Sequence, residues 1–141
     1  RRGIVLLYLH AGCMIAGLVL MTAGVTAARL MRKRPWWLRG HRALGACGSL
    51  AVLCGITAAV AMVAGFGGPR FQVLHAWTGA VVALAAVATP VLGQLQFVLT
   101  QRRAEIRKVH RRAGAMTLVL LFLNILSGLV LVEVIPDVRS F

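Results

Sequence analysis

Leu74-His75-Ala76-Trp77-Thr78-Gly79 sets a histidine one helical turn before a glycine, near the start of a long apolar run. Residues four apart share one face of a helix, about one turn from each other. An imidazole therefore stands beside a position with no side chain, which makes a ligand next to a slot for a flat ring system. His41/Gly45 and His110/Gly114 repeat the spacing. The remaining histidine, His10, heads the first apolar run and has Met14 where the glycine would stand. Each of four apolar runs thus has one histidine near its start, and the chain holds four histidines in all.

Of the 141 residues, 60% are hydrophobic, and the mean hydropathy is +0.85. Soluble domains carry roughly 45–50% apolar residues, so the composition predicts an integral, multi-pass membrane protein with lipid as its main neighbour. The sixteen Lys and Arg face only three Asp and Glu. They lie between apolar runs of membrane-spanning length, where their ordinary role is to set topology, and no nucleic-acid partner is expected. Cys13, Cys47 and Cys54 fall inside apolar runs, with no C-x-x-C, so the expectation is small buried side chains rather than a disulfide or zinc motif.

The first run, Ile4 to Ala28, is long enough to span roughly 30 Å of hydrocarbon. It is too long for the apolar core of a cleavable leader and ends in a charged stop, Arg29-Leu30-Met31-Arg32-Lys33-Arg34, before Pro35-Trp36-Trp37. The second run ends in Gly65-Phe66-Gly67-Gly68-Pro69, a turn. The third contains Pro90, which predicts a kink. A basic connector with Arg102, Arg103, Arg107, Lys108, Arg111 and Arg112 precedes the fourth run, Ala113 to Val132. The expected architecture is an all-α, four-transmembrane-helix bundle occupying residues 1–141 as one domain, with helices at about 4–30, 38–64, 70–100 and 105–134.

Twelve basic residues, Arg29, Arg32, Lys33, Arg34, Arg39, Arg42 and the six of the second connector, fall on one side. Only Arg1, Arg2, Arg70 and Arg139 fall on the other. The positive-inside rule then places both long connectors on the cytosolic-equivalent side and both termini opposite.

Odd-numbered helices start on the outer side and even-numbered ones on the basic side. His10 therefore pairs with His75 by depth, and His41 with His110. The helix rise of about 1.5 Å per residue puts roughly 20 Å between the two levels. Two histidines without a nearby Cys, Asp or Glu are too few for structural zinc, which wants four ligands. A haem supplies four equatorial nitrogens and needs only axial ones, and with no C-x-x-C-H the group would be non-covalent. The pattern reads as a frame for two haem b groups, with the iron held by His10 and His75 on the outer side and by His41 and His110 on the basic side.

Gly45, Gly79 and Gly114 read as clearance for the macrocycles, whereas Gly17, Gly24, Gly48, Gly55, Gly93 and Gly128 read as close helix packing. Trp77 and Phe71 fall near the outer site. Asn124, deep in the fourth run, lies about 21 Å along the helix from His110, at the depth of the outer site. Either a place at that haem or a plain helix–helix hydrogen bond would account for it.

The motifs His10-Ala11-Gly12-Cys13-Met14, Ala28-Arg29, Trp37-Leu38-Arg39-Gly40-His41, His75-Ala76-Trp77-Thr78-Gly79, Gly93-Gln94-Leu95-Gln96, His110-Arg111-Arg112-Ala113-Gly114 and Asn124-Ile125 cover most of the chain. In order and spacing they resemble the core of eukaryotic cytochrome b561, most closely the domains found attached to DOMON domains. The resemblance implies crosswise ligation of two b haems and single-electron transfer across a membrane. It also implies an ascorbate- or quinol-type donor and a ferric or monodehydroascorbate acceptor. Arg29, Arg32 and Arg39 partly match the basic residues that ascorbate-using members employ, and Arg70 is the one cation near the outer site. Members usually carry five or six helices, where four fit here. That suggests a second reading, an accessory subunit of a larger membrane complex or a homodimer; a third is a haem-free, transporter-like bundle.

Overall fold

The computed structural model describes residues 2–65 and 73–134 of the chain. Four long helices run in order: α1 (Arg2–Leu30), α2 (Trp37–Gly65), α3 (Leu74–Val98) and α4 (Arg103–Val134). A 3-10 turn, Thr100–Arg102, leads into α4. There is no strand among the described residues. Each helix is long and apolar enough to cross a membrane. The chain is an integral, multi-pass membrane protein built as a four-helix bundle.

Two differences from the sequence reading have simple causes. The second basic stretch is not a connector, because Arg103 to Arg112 already form the opening turns of α4. Arg, Lys, Glu and Ala are good helix formers, so the helix extends past the apolar run. The third helix begins at Leu74 rather than near residue 70, and Arg70 and Phe71 lie outside the described residues. It continues through Pro90 as far as Val98.

The bundle is two hairpins. α1 packs closely along α2, and α3 along α4, while α2–α3 and α1–α4 meet more lightly. Glycine brings the first pair together. A Cβ on Gly17 would stand 3.1 Å from the Gly48 carbonyl oxygen, and one on Gly48 would stand 3.1 Å from the Gly17 carbonyl oxygen. In lipid, where no hydrophobic force drives helices together, such small residues let backbones approach and gain dispersion contact. The core shared by all four helices is Met14, Met21, Val52, Val82, Ala86 and Leu121. Large apolar residues such as Leu30, Leu50, Leu84 and Val98 face outward, as lipid allows. Cys47 and Cys54 share that exposed surface instead of being buried, Cys13 is half-buried, and all three are free thiols.

Candidate functional site

The four half-buried histidines form two pairs with nearly perpendicular rings. The ring centroids of His10 (α1) and His75 (α3) are 6.2 Å apart, with planes at 88°. Those of His41 (α2) and His110 (α4) are 6.0 Å apart, with planes at 78°. Each pair bridges one hairpin to the other.

Within each hairpin, the second ring nitrogen is tied down. Nδ1–H of His10 donates to the Gly55 carbonyl at 2.9 Å, and that of His41 to the Gly24 carbonyl at 2.9 Å. His110 donates to the Thr89 carbonyl, also at 2.9 Å. A carbonyl can only accept, so these bonds fix the proton on Nδ1 and leave the Nε2 lone pair bare. His75 bonds the Ser127 hydroxyl at 3.0 Å, and Ser127 donates its own proton to the Asn124 carbonyl at 2.8 Å. The hydroxyl must then accept from His75, which gives the same tautomer.

The register behind these bonds is regular. Gly24, Gly55, Thr89 and Asn124 each lie fourteen residues after the histidine of their own helix (10 to 24, 41 to 55, 75 to 89, 110 to 124). Fourteen residues are about four turns, so carbonyl and histidine share a face roughly 21 Å apart. In an antiparallel hairpin, each carbonyl then meets the other helix's histidine. Because Gly55 is bonded to His10 and stands four turns from His41, the two pairs lie roughly 21 Å apart along the bundle.

The glycines divide by role. Gly93 and Gly128 seat histidine rings: a Cβ on Gly93 would be 3.1 Å from Cε1 of His110, and one on Gly128 would be 2.9 Å from Cε1 of His75. Gly24 and Gly55 pack against the main chain at His41 and His10. A Cβ on Gly45 would meet nothing within 4 Å, one on Gly114 only the Thr89 methyl at 3.6 Å, and one on Gly79 only the Asn124 amide at 3.8 Å. Gly45 and Gly114 line a cleft together with His41, His110, Gly93 and Gln94.

Asn124 is 2% exposed and cross-links the second hairpin. Its Nδ2 donates to the His75 carbonyl at 3.0 Å and to the Thr78 hydroxyl at 2.7 Å, so it lies at the level of the His10/His75 pair. Arg42, at the cleft mouth, donates to Gln94 at 2.9 Å and stacks on Phe97, whose ring Arg103 also approaches. Arg29, Arg32 and Arg39 are exposed, and Arg32 folds back onto the Ala28 carbonyl. They are not drawn into one cluster with the histidines. Arg70 lies outside the described residues. In the sequence only the fourteen-residue spacing signals Thr89 and the carbonyls of Gly24, Gly55 and Asn124, and nothing signals Ser127.

The donor set suits one kind of centre. Among the described residues no three His, Cys, Asp or Glu cluster, so a metal cage built by protein alone is not formed. A metal–imidazole bond of about 2 Å, plus about 1.1 Å from ring nitrogen to ring centre, puts two axially bound rings roughly 6 Å apart. Both pairs have that separation, and each ring keeps an unprotonated Nε2. That separation would suit a metal ion held between the two rings of each pair.

The family model for eukaryotic cytochrome b561 matches residues 9–134, a stretch that contains all four histidines. No curated protein and no solved structure matches significantly.

Proposed function

The chain belongs to the eukaryotic cytochrome b561 family, whose members bind haem b and carry electrons across membranes, and on that premise we propose that it holds two haems and passes single electrons between them. The observation that carries the reading is the pair of facing imidazoles repeated at two depths, at 6.2 and 6.0 Å. His10 and His75 hold one iron and His41 and His110 the other. When bound, the haem would supply a one-electron ferric/ferrous couple, and two histidine ligands to each iron would leave no open position for oxygen or substrate.

The chain's own residues do the rest. Three hairpin carbonyls, and the Ser127 hydroxyl at His75, orient the rings and keep the Nε2 atoms bare. Gly45, Gly79 and Gly114 keep the space beside the ligands clear, and Asn124 fixes the His75 turn. The apolar core between the levels excludes water. The basic ends of the helices mark the cytosolic-equivalent face by the positive-inside rule, with both termini opposite. Arg29, Arg32 and Arg39, exposed at that face, suit an anionic donor such as ascorbate; the acceptor, of ferric or monodehydroascorbate type, takes the electron on the opposite face.

Haem stoichiometry tests this. A pyridine haemochrome assay should give two haems per chain, falling to one in His41→Ala and in His10→Ala with helical content unchanged. One haem in the unaltered protein, or loss of both from either variant with the helices intact, would overturn separate sites.

A further inference from the structure

Three of the four histidines donate from Nδ1 straight to a main-chain carbonyl fourteen residues along the neighbouring register. His75 does not. The equivalent carbonyl, that of Asn124, is present, but the Ser127 hydroxyl stands between it and the ring. We infer that Ser127 is a positioning residue that sets the donor strength of His75, and that through it the His10/His75 haem is tuned apart from the His41/His110 haem. The inference rests on the two-haem reading above.

An amide carbonyl is a better hydrogen-bond acceptor than a neutral hydroxyl. A stronger acceptor draws the Nδ1 proton outward and makes the opposite nitrogen a better electron donor to iron. Ferric iron gains more from that donation than ferrous iron. The pair with two carbonyl partners, His41 and His110, therefore favours the oxidised state more. The His10/His75 pair has one carbonyl and one hydroxyl and is the more easily reduced. The Ser127 proton is spent on Asn124, which polarises the hydroxyl and keeps it a competent acceptor.

The ring cannot drop past Ser127 to the carbonyl itself. His75 already rests against Gly128, where even a Cβ would lie 2.9 Å from Cε1. Asn124 is also fixed from its other end, by its bonds to the His75 carbonyl and the Thr78 hydroxyl. Removing the hydroxyl thus removes the acceptor rather than exchanging it for a better one. No other histidine has a side-chain partner in the described residues, so the effect is confined to one site.

The test is a spectroelectrochemical titration of the purified holoprotein carrying S127A, S127C or S127T, with the two redox waves assigned by His41→Ala. S127C replaces oxygen by a poor acceptor of similar shape and leaves no room for a substituting water. S127A and S127C should raise the midpoint potential of the His10/His75 haem, so that at fixed ambient potential its reduced fraction relative to oxidised rises severalfold. S127T, which keeps the hydroxyl, should restore the original wave, and the other haem should not move in any variant. Loss of this haem from S127A and S127C with retention in S127T also supports the role of the hydroxyl. An unshifted wave in S127C with both haems bound would overturn the inference and leave the two-haem reading standing. Equal shifts of both waves, or loss of the haem from S127T, would overturn it too. Fewer than two haems in the unaltered protein overturns the two-haem reading itself.

Discussion

Gly128 on α4 and His75 on α3 are in such close contact that a Cβ added to the glycine would stand 2.9 Å from Cε1 of the imidazole. Gly93 and His110 repeat the arrangement with the two helices exchanged, at 3.1 Å. Each ring leans on a bare stretch of backbone while its Nδ1 is held nearby, so position and rotation are set together.

Gly128→Ala should therefore displace His75 and weaken the His10/His75 haem, with an overpacking cost of about 1–3 kcal/mol. Gly93→Ala should act the same way on the other haem but more mildly, because its contact is looser. Haem content after chelation by excess imidazole would rank the variants. Equal retention in both would mean that the rings yield freely.

Gly45 and Gly79 should behave differently. Leucine at either position meets little protein, since a Cβ on Gly45 has no neighbour within 4 Å and one on Gly79 has only the Asn124 amide. Leucine also favours membrane insertion. Gly45→Leu should insert normally yet lose the His41/His110 haem, and Gly79→Leu should lose the other. Full haem content in an inserted variant would assign these glycines to packing alone.

The ring planes carry a spectroscopic consequence. The paired rings lie at 88° and 78°, so imidazoles binding one iron in this arrangement would leave neither of the two orbitals that can accept their π density preferred. Both ferric haems should then give the highly anisotropic low-spin electron paramagnetic resonance signal of perpendicular ligands. A rhombic signal with three well-separated features from either haem would show that its rings turn parallel on binding.

Salt should separate the two sites. Arg42 and Arg103 flank Phe97 beside the His41/His110 cleft, and positive charge favours the reduced iron. Salt screens such exposed charges over about 8–10 Å at physiological strength. Raising ionic strength from low to moderate should lower the potential of the His41/His110 haem more than that of its partner. A titration at two salt concentrations measures this, and a larger shift at His10/His75 would remove these arginines from the account.

By itself the sequence determined the membrane class, the four helices and the one histidine on each. Those properties follow from uninterrupted apolar length and from the scarcity of a residue type, both local and countable. It also placed Asn124 at the depth of His75, because a helix rises by a fixed step per residue. It read the basic stretch before Ala113 as a connector, whereas that stretch forms the first turns of α4, since Arg and Lys end a span without ending a helix. What only the tertiary structure decided is which atoms hold the imidazoles. Every residue carries a carbonyl, so those of Gly24, Gly55 and Thr89 leave no individual mark in the sequence; they matter because glycine-mediated packing sets the register of each hairpin. The same register separates Gly93 and Gly128, which support rings, from Gly45, which faces open space, although all are one letter in the chain. And it places Ser127, an ordinary helical serine by sequence, between His75 and the carbonyl that the ring would otherwise have met.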